Sequence, residues 1–354
     1  MKTYDLQSMK KKTIGLDIIA LVYAIAMIIY FALKRISGDE INSIAFLTNC
    51  IPITLFPSLF LLPHAIKKRK PFIFLVNLLL SIYLLSLFFP RTIFKNRLPA
   101  KTIGFPISVI THNTGRDLPT YEERDQLIRD NQADIIILQE ITDEYIEKHW
   151  PLFLEQYPYQ AHSILQKDGS YSFGMGVLSR YPIVESTSFK LDNAGLVNQQ
   201  RVEIKMEEEN LTIYNVHTTF PSLSLDNEKN WLGIPNISYN DETRHREIGR
   251  LVELVKSEKN PTIIAGDFNF NDQTDDYKMI LDAGLDDAYK SVNYGFGFSW
   301  PANRTPSVNI KPAIPFVRLD YLFHTKDFIT EKSRILGKTG SDHKPLLVQL
   351  SLAK

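Results

Sequence analysis

Apolar positions follow two different patterns along this chain. In the amino-terminal third they form long unbroken runs; in the remainder they form short blocks that end in polar residues. The first run, 13–33, holds Asp17 near its start and no other charge. The second, 44–66, contains Pro52, Pro57 and Pro63, and the third, 72–89, contains no charge. As a helix rising about 1.5 Å per residue, each would cross roughly 30 Å of hydrocarbon. Three such runs leave no polar face for water, so the pattern predicts three transmembrane helices. The prolines of the second run would break a soluble helix but can be tolerated in lipid.

The remainder predicts alternating strands and helices. Strands are expected at 107–111, 133–139, 176–179, 211–217, 262–267, 318–323 and 346–350, where apolar blocks such as Ile135-Ile136-Ile137-Leu138 read as buried. Helices are expected at 121–131 and at 241–257, the latter with Ile248, Leu251, Val252 and Val255 at helical spacing. This mixture predicts a layered α/β domain. The domains are read as a membrane anchor over 1–102 and a globular piece over 103–354, with the linker near 91–104, where basic residues, Pro99 and Pro106 interrupt the pattern.

Charge sharpens the division. The formal net charge is zero, with 40 basic and 40 acidic residues. Residues 1–102 hold 14 of the basic residues and four acids, which leaves the remainder at −10. Basic residues flank the runs at Lys10-Lys11-Lys12 and Lys67-Lys68-Arg69-Lys70, so the hairpin between runs two and three reads as cytoplasmic. Three crossings from an inside amino terminus would then place the globular piece outside a plasma membrane. The single cysteine, Cys50, excludes an internal disulfide, zinc ribbons and iron–sulfur clusters.

Block after block ends in a carboxylate, an amide or an imidazole. Asn113 follows Val-Ile-Thr-His, Glu140 follows Ile-Leu-Gln, and His217 follows Tyr-Asn-Val. Asp267 and Asn269 follow Ile-Ala-Gly, Asp320 lies in Arg-Leu-Asp-Tyr, and Asp342-His343 lies in Ser-Asp-His-Lys-Pro. Strand ends are where α/β folds place ligand sites. Hard oxygen donors there suit Mg²⁺, Mn²⁺ or Ca²⁺. Histidines beside carboxylates suit acid–base work.

This ordered set resembles the endonuclease/exonuclease/phosphatase superfamily, which includes DNase I, over about residues 105–352. The resemblance implies a four-layer α/β sandwich of two mixed sheets packed between helices. It also implies in-line hydrolysis of a phosphoester assisted by Mg²⁺ or Mn²⁺. Glu140, with Asn113 and Asp342, would hold the metal. His343 would be the general base or would grip the phosphate, oriented by Asp320. Asp267 and Asn269 would orient the water, and His217 would steady the phosphate or protonate the leaving oxygen. Arg180 and Arg201 occupy family-like places for a phosphate clamp. His112 stands where the family often has an aromatic residue.

The acidic domain is poorly suited to nonspecific nucleic-acid binding, which rests on Lys and Arg. A lipid headgroup or small phosphoester reached from the bilayer is therefore the expected substrate. An extracytoplasmic nuclease is the alternative, and a non-catalytic binding member a third reading. Two apolar connections, 218–240 and 294–300, are candidate rims or lids. No protein partner is implied.

Overall fold

The computed structural model describes residues 6–90, 104–115, 121–165, 173–195, 197–207, 209–229, 235–303 and 314–352. The chain divides into two compact units, Met1–Phe88 and Phe89–Lys354. The linker expected at 91–104 lies, apart from Gly104, outside the described residues.

The amino-terminal unit contains α1 (Leu6–Ser37), α2 (Asn42–Asn49), a single 3₁₀ turn (Ile53–Leu55), α3 (Pro57–Lys67) and α4 (Pro71–Ser86). This corrects the expectation of three spans. Among the described residues one helix, Gly15–Ser37, is long and apolar enough to cross a bilayer. The second run is bent by 86° between α2 and the segment 53–67. The break falls at residues 50–52, where Pro52 supplies no backbone N–H to continue a helix. The third run forms only the 16-residue α4, about 24 Å long at 1.5 Å per residue. The outward placement of the globular piece depended on three crossings and loses that basis.

The interior of this unit mixes large apolar side chains, among them Ile44, Leu55, Ile73 and Leu84, with small and polar ones. Ala20, Ala24, Ser58, Asn77 and Ser81 are buried, whereas Ile18, Val22, Ile29, Leu75, Leu79 and Ile82 are exposed. Tyr30 Oη and Thr48 Oγ1 are 3.0 Å apart, as are the Ser58 and Ser81 hydroxyls.

The carboxyl-terminal unit is built on two mixed six-stranded sheets. Its elements begin with β1 (Phe105–Asn113), α5 (Tyr121–Asn131), β2 (Ile135–Thr142), α6 (Asp143–Lys148), β3 (Tyr159–Leu165), β4 (Phe173–Ser179), β5 (Ile183–Phe189), β6 (Gln199–Lys205) and β7 (Asn210–His217). A hairpin of β8 (Ser222–Lys229) and β9 (Pro235–Asn240) follows, then α7 (Glu242–Ser257), β10 (Thr262–Asp267) and α8 (Asp275–Asp282). The chain ends with β11 (Asp286–Asp287), α9 (Ala288–Val292), β12 (Asp320–His324), β13 (Phe328–Ile335) and β14 (Leu346–Leu352). One sheet has the order β13-β14-β1-β2-β4-β3 and the other β11-β12-β10-β7-β6-β5.

The period-two alternation of strands sorts their side chains into layers. Val109, Ile135 and Ile137 meet Val202, Ile213, Ile263 and Leu322 between the sheets. Ile110, Ile136 and Leu138 point the other way, onto Ile128 of α5 and Tyr145 of α6. Val216 and Ile264 likewise pack on Ile248, Leu251 and Val255 of α7 and Ile280 of α8. Both faces of each sheet are thus covered, giving the four-layer sandwich, and this explains why its central strands read as continuous apolar runs.

Candidate active site at the rim between the sheets

Strand direction brings the polar residues together. β1 and β2 are parallel, with Asn113 opposite Gln139, and β7 and β10 are parallel, with His217 opposite Asp267. All four strands therefore finish at one rim. β12 runs antiparallel to β10, so its first residue, Asp320, pairs with Asp267 at that same rim. β14 is antiparallel to β1, so the turn before it delivers Asp342 and His343 there too.

Local backbone geometry aims the side chains. The pairing of β2 with β4 slips between Gln139 and Ile141, and Glu140 takes φ +55° in that irregularity. Such bulges turn a side chain out of the strand's alternation. Asn269 also has a positive φ, +51°, which asparagine tolerates better than most residues. Its N–H donates to Asp267 Oδ1 at 3.0 Å and its Nδ2 donates to the Thr218 carbonyl at 2.8 Å. In this arrangement the Asn269 amide nitrogen shapes the loop beside Asp267.

Six side chains surround one point. Asn113 Nδ2 donates to Glu140 Oε1 at 3.2 Å and to Asp267 Oδ2 at 3.0 Å, joining the two sheets. His217 Nε2 lies 3.7 Å from each of those same carboxylate oxygens. His343 Nε2 lies 3.6 Å from Asp267 Oδ2, and its Nδ1 is 2.9 Å from Asp320 Oδ2. Asp342 is next to His343, and its Oδ2 accepts the Trp300 Nε1–H at 3.1 Å. Trp300, from the connection flagged as a candidate rim, thus holds an acid of the site. In the other such connection, Phe220 and Leu223 are exposed.

Burial and charge act against each other here. Asp267 is buried, and burial pushes its carboxyl above the usual range, partly offset by His343 and His217. Burial opposes charging of His343, but Asp320 and Asp267 outweigh it and hold the imidazole well above its ordinary value. The neighbouring His112 is driven the other way, by burial and then by the charges of Arg124 and His343. Its Nε2 meets Thr339 Oγ1 at 2.9 Å, so it is a buried packing histidine.

Several supports carried no sequence signal. The Gln199 side chain holds the His217 backbone, accepting its N–H at 2.7 Å and donating to its carbonyl at 3.0 Å. Ser341 Oγ donates to the Asn113 carbonyl and accepts the His343 N–H. Arg244 of α7 is buried, donates to the Asn269 carbonyl at 2.6 Å and pairs with Asp241 and Asp276. These roles depend on which strands become neighbours, which no local pattern encodes.

Two expected clamps are elsewhere. Arg180 pairs with Asp134, which precedes β2, because β4 runs antiparallel to β2 and its last residue therefore sits at the opposite rim. Arg201 of β6 is engaged by Glu185, Glu203 and Glu258. Neither is among the six converging side chains.

The donor set suits a hard divalent cation. Among the described residues no group of three or more His, Cys, Asp or Glu side chains is arranged to hold a metal ion by itself. Mg²⁺ does not need one, because it keeps several waters and uses one or two carboxylates together with substrate phosphate. Glu140 Oε1 and Asp267 Oδ2, both drawn to the Asn113 amide, offer such a pair. His217 Nδ1 and Asp320 Oδ1 are buried and have no hydrogen-bond partner among the described residues, as in a cluster that meets a polar guest.

Known proteins share this framework. YbhP of Escherichia coli (strain K12) is 25% identical over 284 residues, covering 72% of this chain and all of YbhP. An endonuclease/exonuclease/phosphatase from Bacteroides vulgatus superposes with a TM-score of 0.52 at 18% identity, covering 70% of this chain and 99% of that one. D. rerio TDP2 complexed with a single-strand DNA product superposes with a TM-score of 0.51 at 15% identity, covering 70% of this chain and 99% of that one. The model of the Endonuclease/Exonuclease/phosphatase family matches residues 110–343, a span from β1 to the histidine that faces Asp320. The chain belongs to that family.

Proposed function

We propose that this protein is a membrane-tethered, divalent-metal-dependent hydrolase of phosphoesters, acting on a lipid headgroup or a small phosphodiester. The supporting observation is the convergence of Asn113, Glu140, His217, Asp267, Asp320 and His343 at one rim, with His343 held by Asp320 at 2.9 Å. Glu140 and Asp267, with Asp342 nearby, would hold the cation. When bound, it would supply positive charge to the phosphoryl oxygens. Asp320 fixes the ring of His343, as a carboxylate does in any oriented His–Asp pair. His343 then faces Asp267 across 3.6 Å, where an attacking water would pass its proton to one of them as its oxygen bonds to phosphorus. His217, on the Glu140 side of Asp267, would steady the phosphate or protonate the leaving oxygen. With Arg180 and Arg201 committed elsewhere, the two imidazoles replace a guanidinium clamp.

Two further observations support the bilayer and the substrate preference. The amino-terminal unit exposes many large apolar side chains along α1 and α4, among them Ile18, Val22, Leu75 and Leu79, as lipid-facing helices do. The net charge of −10 on residues 103–354 opposes phosphate-rich polymers. Full-length protein should be assayed with Mg²⁺ or Mn²⁺ on phospholipid vesicles, bis(p-nitrophenyl) phosphate and plasmid DNA, with Glu140→Ala as the blank. Product from vesicles or the small diester, absent in the blank, is the expected result. Cleavage confined to DNA would overturn the substrate preference, as the TDP2 complex with single-strand DNA makes worth testing.

A further inference from the structure

Asn113 carries a side-chain amide whose two ends differ in sign, and its orientation decides what the cluster feels. With nitrogen inward it draws two carboxylates together; with oxygen inward it would repel them. The structure has nitrogen inward, donating to Glu140 and Asp267. The oxygen faces away and accepts the Gly115 N–H at 3.0 Å. The Gly115 carbonyl in turn accepts from Arg124 Nη2 at 3.2 Å.

Arg124 sits on α5, outside the six converging side chains, and is only 2% exposed. Its guanidinium lies 5.1 Å from the centre of the Tyr121 ring. The adjacent Asp125 is occupied by Tyr145 Oη at 3.0 Å and His149 Nδ1 at 2.6 Å. A buried guanidinium is costly and persists where its charge and donors are used. Here burial acts against the charge while Tyr145, Tyr121, Asp125 and Glu140 favour it.

We propose that Arg124 is a positioning residue for the reaction centre: by holding the Gly115 carbonyl it fixes the turn that locks the Asn113 amide nitrogen onto Glu140 and Asp267. This rests on the reading of that cluster as a cation and phosphoester site. It also gives Asn113 a sharper role, as the donor that keeps two like charges together rather than as an oxygen ligand. Residues outside a metal's own ligands commonly set its affinity within about 10- to 100-fold.

The test is Mn²⁺ binding by full-length protein, measured from the free-ion electron paramagnetic resonance signal, alongside the thermal midpoint and kcat/KM on bis(p-nitrophenyl) phosphate. The variants are Arg124→Gln, Arg124→Lys, Asn113→Ala and the double Arg124→Gln/Asn113→Ala. Arg124→Gln and Asn113→Ala should each weaken Mn²⁺ binding by about 10- to 100-fold. The double variant should be no worse than Asn113→Ala alone, because both act through one amide. Arg124→Lys, which keeps the charge and a donor, should fall between wild type and Arg124→Gln, and it decides the question if Arg124→Gln does not fold. Mn²⁺ affinity unchanged in folded Arg124 variants, or losses that multiply in the double variant, would overturn the positioning role alone. A wild-type protein that binds no Mn²⁺ would instead overturn the reading of the cluster.

Discussion

Asp267 enters the rim directly after Gly266, where the backbone has φ +146° and lies against the Val216 carbonyl of β7. A methyl group at residue 266 would collide with that carbonyl oxygen, and β7 and β10 could not pair at the level of His217 and Asp267. Glycine here is therefore required by close approach as well as by φ. Gly266→Ala should cost about 2 kcal/mol or more, from strain plus overpacking, and should lower activity because it shifts Asp267. Thermal unfolding of the variant checks this; a midpoint equal to wild type would show that the two strands can part without cost.

The elements α7 and α8 are stapled together beside the loop that holds Asn269. His245 Nδ1 lies 2.6 Å from Asp276 Oδ1, and Arg244 bonds the other oxygen of Asp276. The Asp276 hydrogen bond raises His245 above its ordinary value, helped by Asp241 and opposed by burial and Arg244. A raised histidine stabilises the fold below its unfolded value near 6.5, and that stabilisation is lost as pH climbs through the folded value. His245→Ala should thus lower the thermal midpoint at pH 6 more than at pH 8.5. An equal deficit at both pH values would mean the pair carries no charge-dependent stability.

How far these elements could be read in advance depended on burial. Strand 262–267 coincides with Thr262–Asp267 because a fully buried run leaves an apolar signature bounded by polar residues, and helix 121–131 coincides with Tyr121–Asn131 although Ile128 is its one buried apolar residue. Strand β5 left none, since the five residues between Ile183 and Phe189 are exposed. The rim residues were legible because parallel strands put their last residues at one edge. Arg180, expected from the resemblance alone, follows β4, which runs antiparallel to β2, and so lies at the opposite rim beside Asp134. The supports Gln199, Arg244 and Arg124 were illegible because each acts on a neighbour set by tertiary pairing.

At the scale of the molecule, a basic apolar unit is joined to an acidic sandwich. The exposed faces of α1 and α4 carry Ile18, Val22, Leu75, Leu79 and other large apolar side chains. Apolar area of that extent facing water would be a strong driver of association, whereas facing acyl chains it costs nothing. The protein should stay with membranes through an alkaline carbonate wash and leave them only with detergent. Recovery in the soluble fraction would rule out an integral anchor.

The most direct measurement is phosphodiester turnover by the full-length protein with and without a chelator, for wild type, Glu140→Gln and His343→Ala. Wild-type hydrolysis of bis(p-nitrophenyl) phosphate should stop with the chelator and return with Mg²⁺ or Mn²⁺. Both variants should lose roughly 10²-fold or more in kcat/KM while keeping the wild-type near-ultraviolet circular dichroism. Turnover that survives the chelator, or that is equal in all three proteins, would place the chemistry somewhere other than the rim where the two sheets meet.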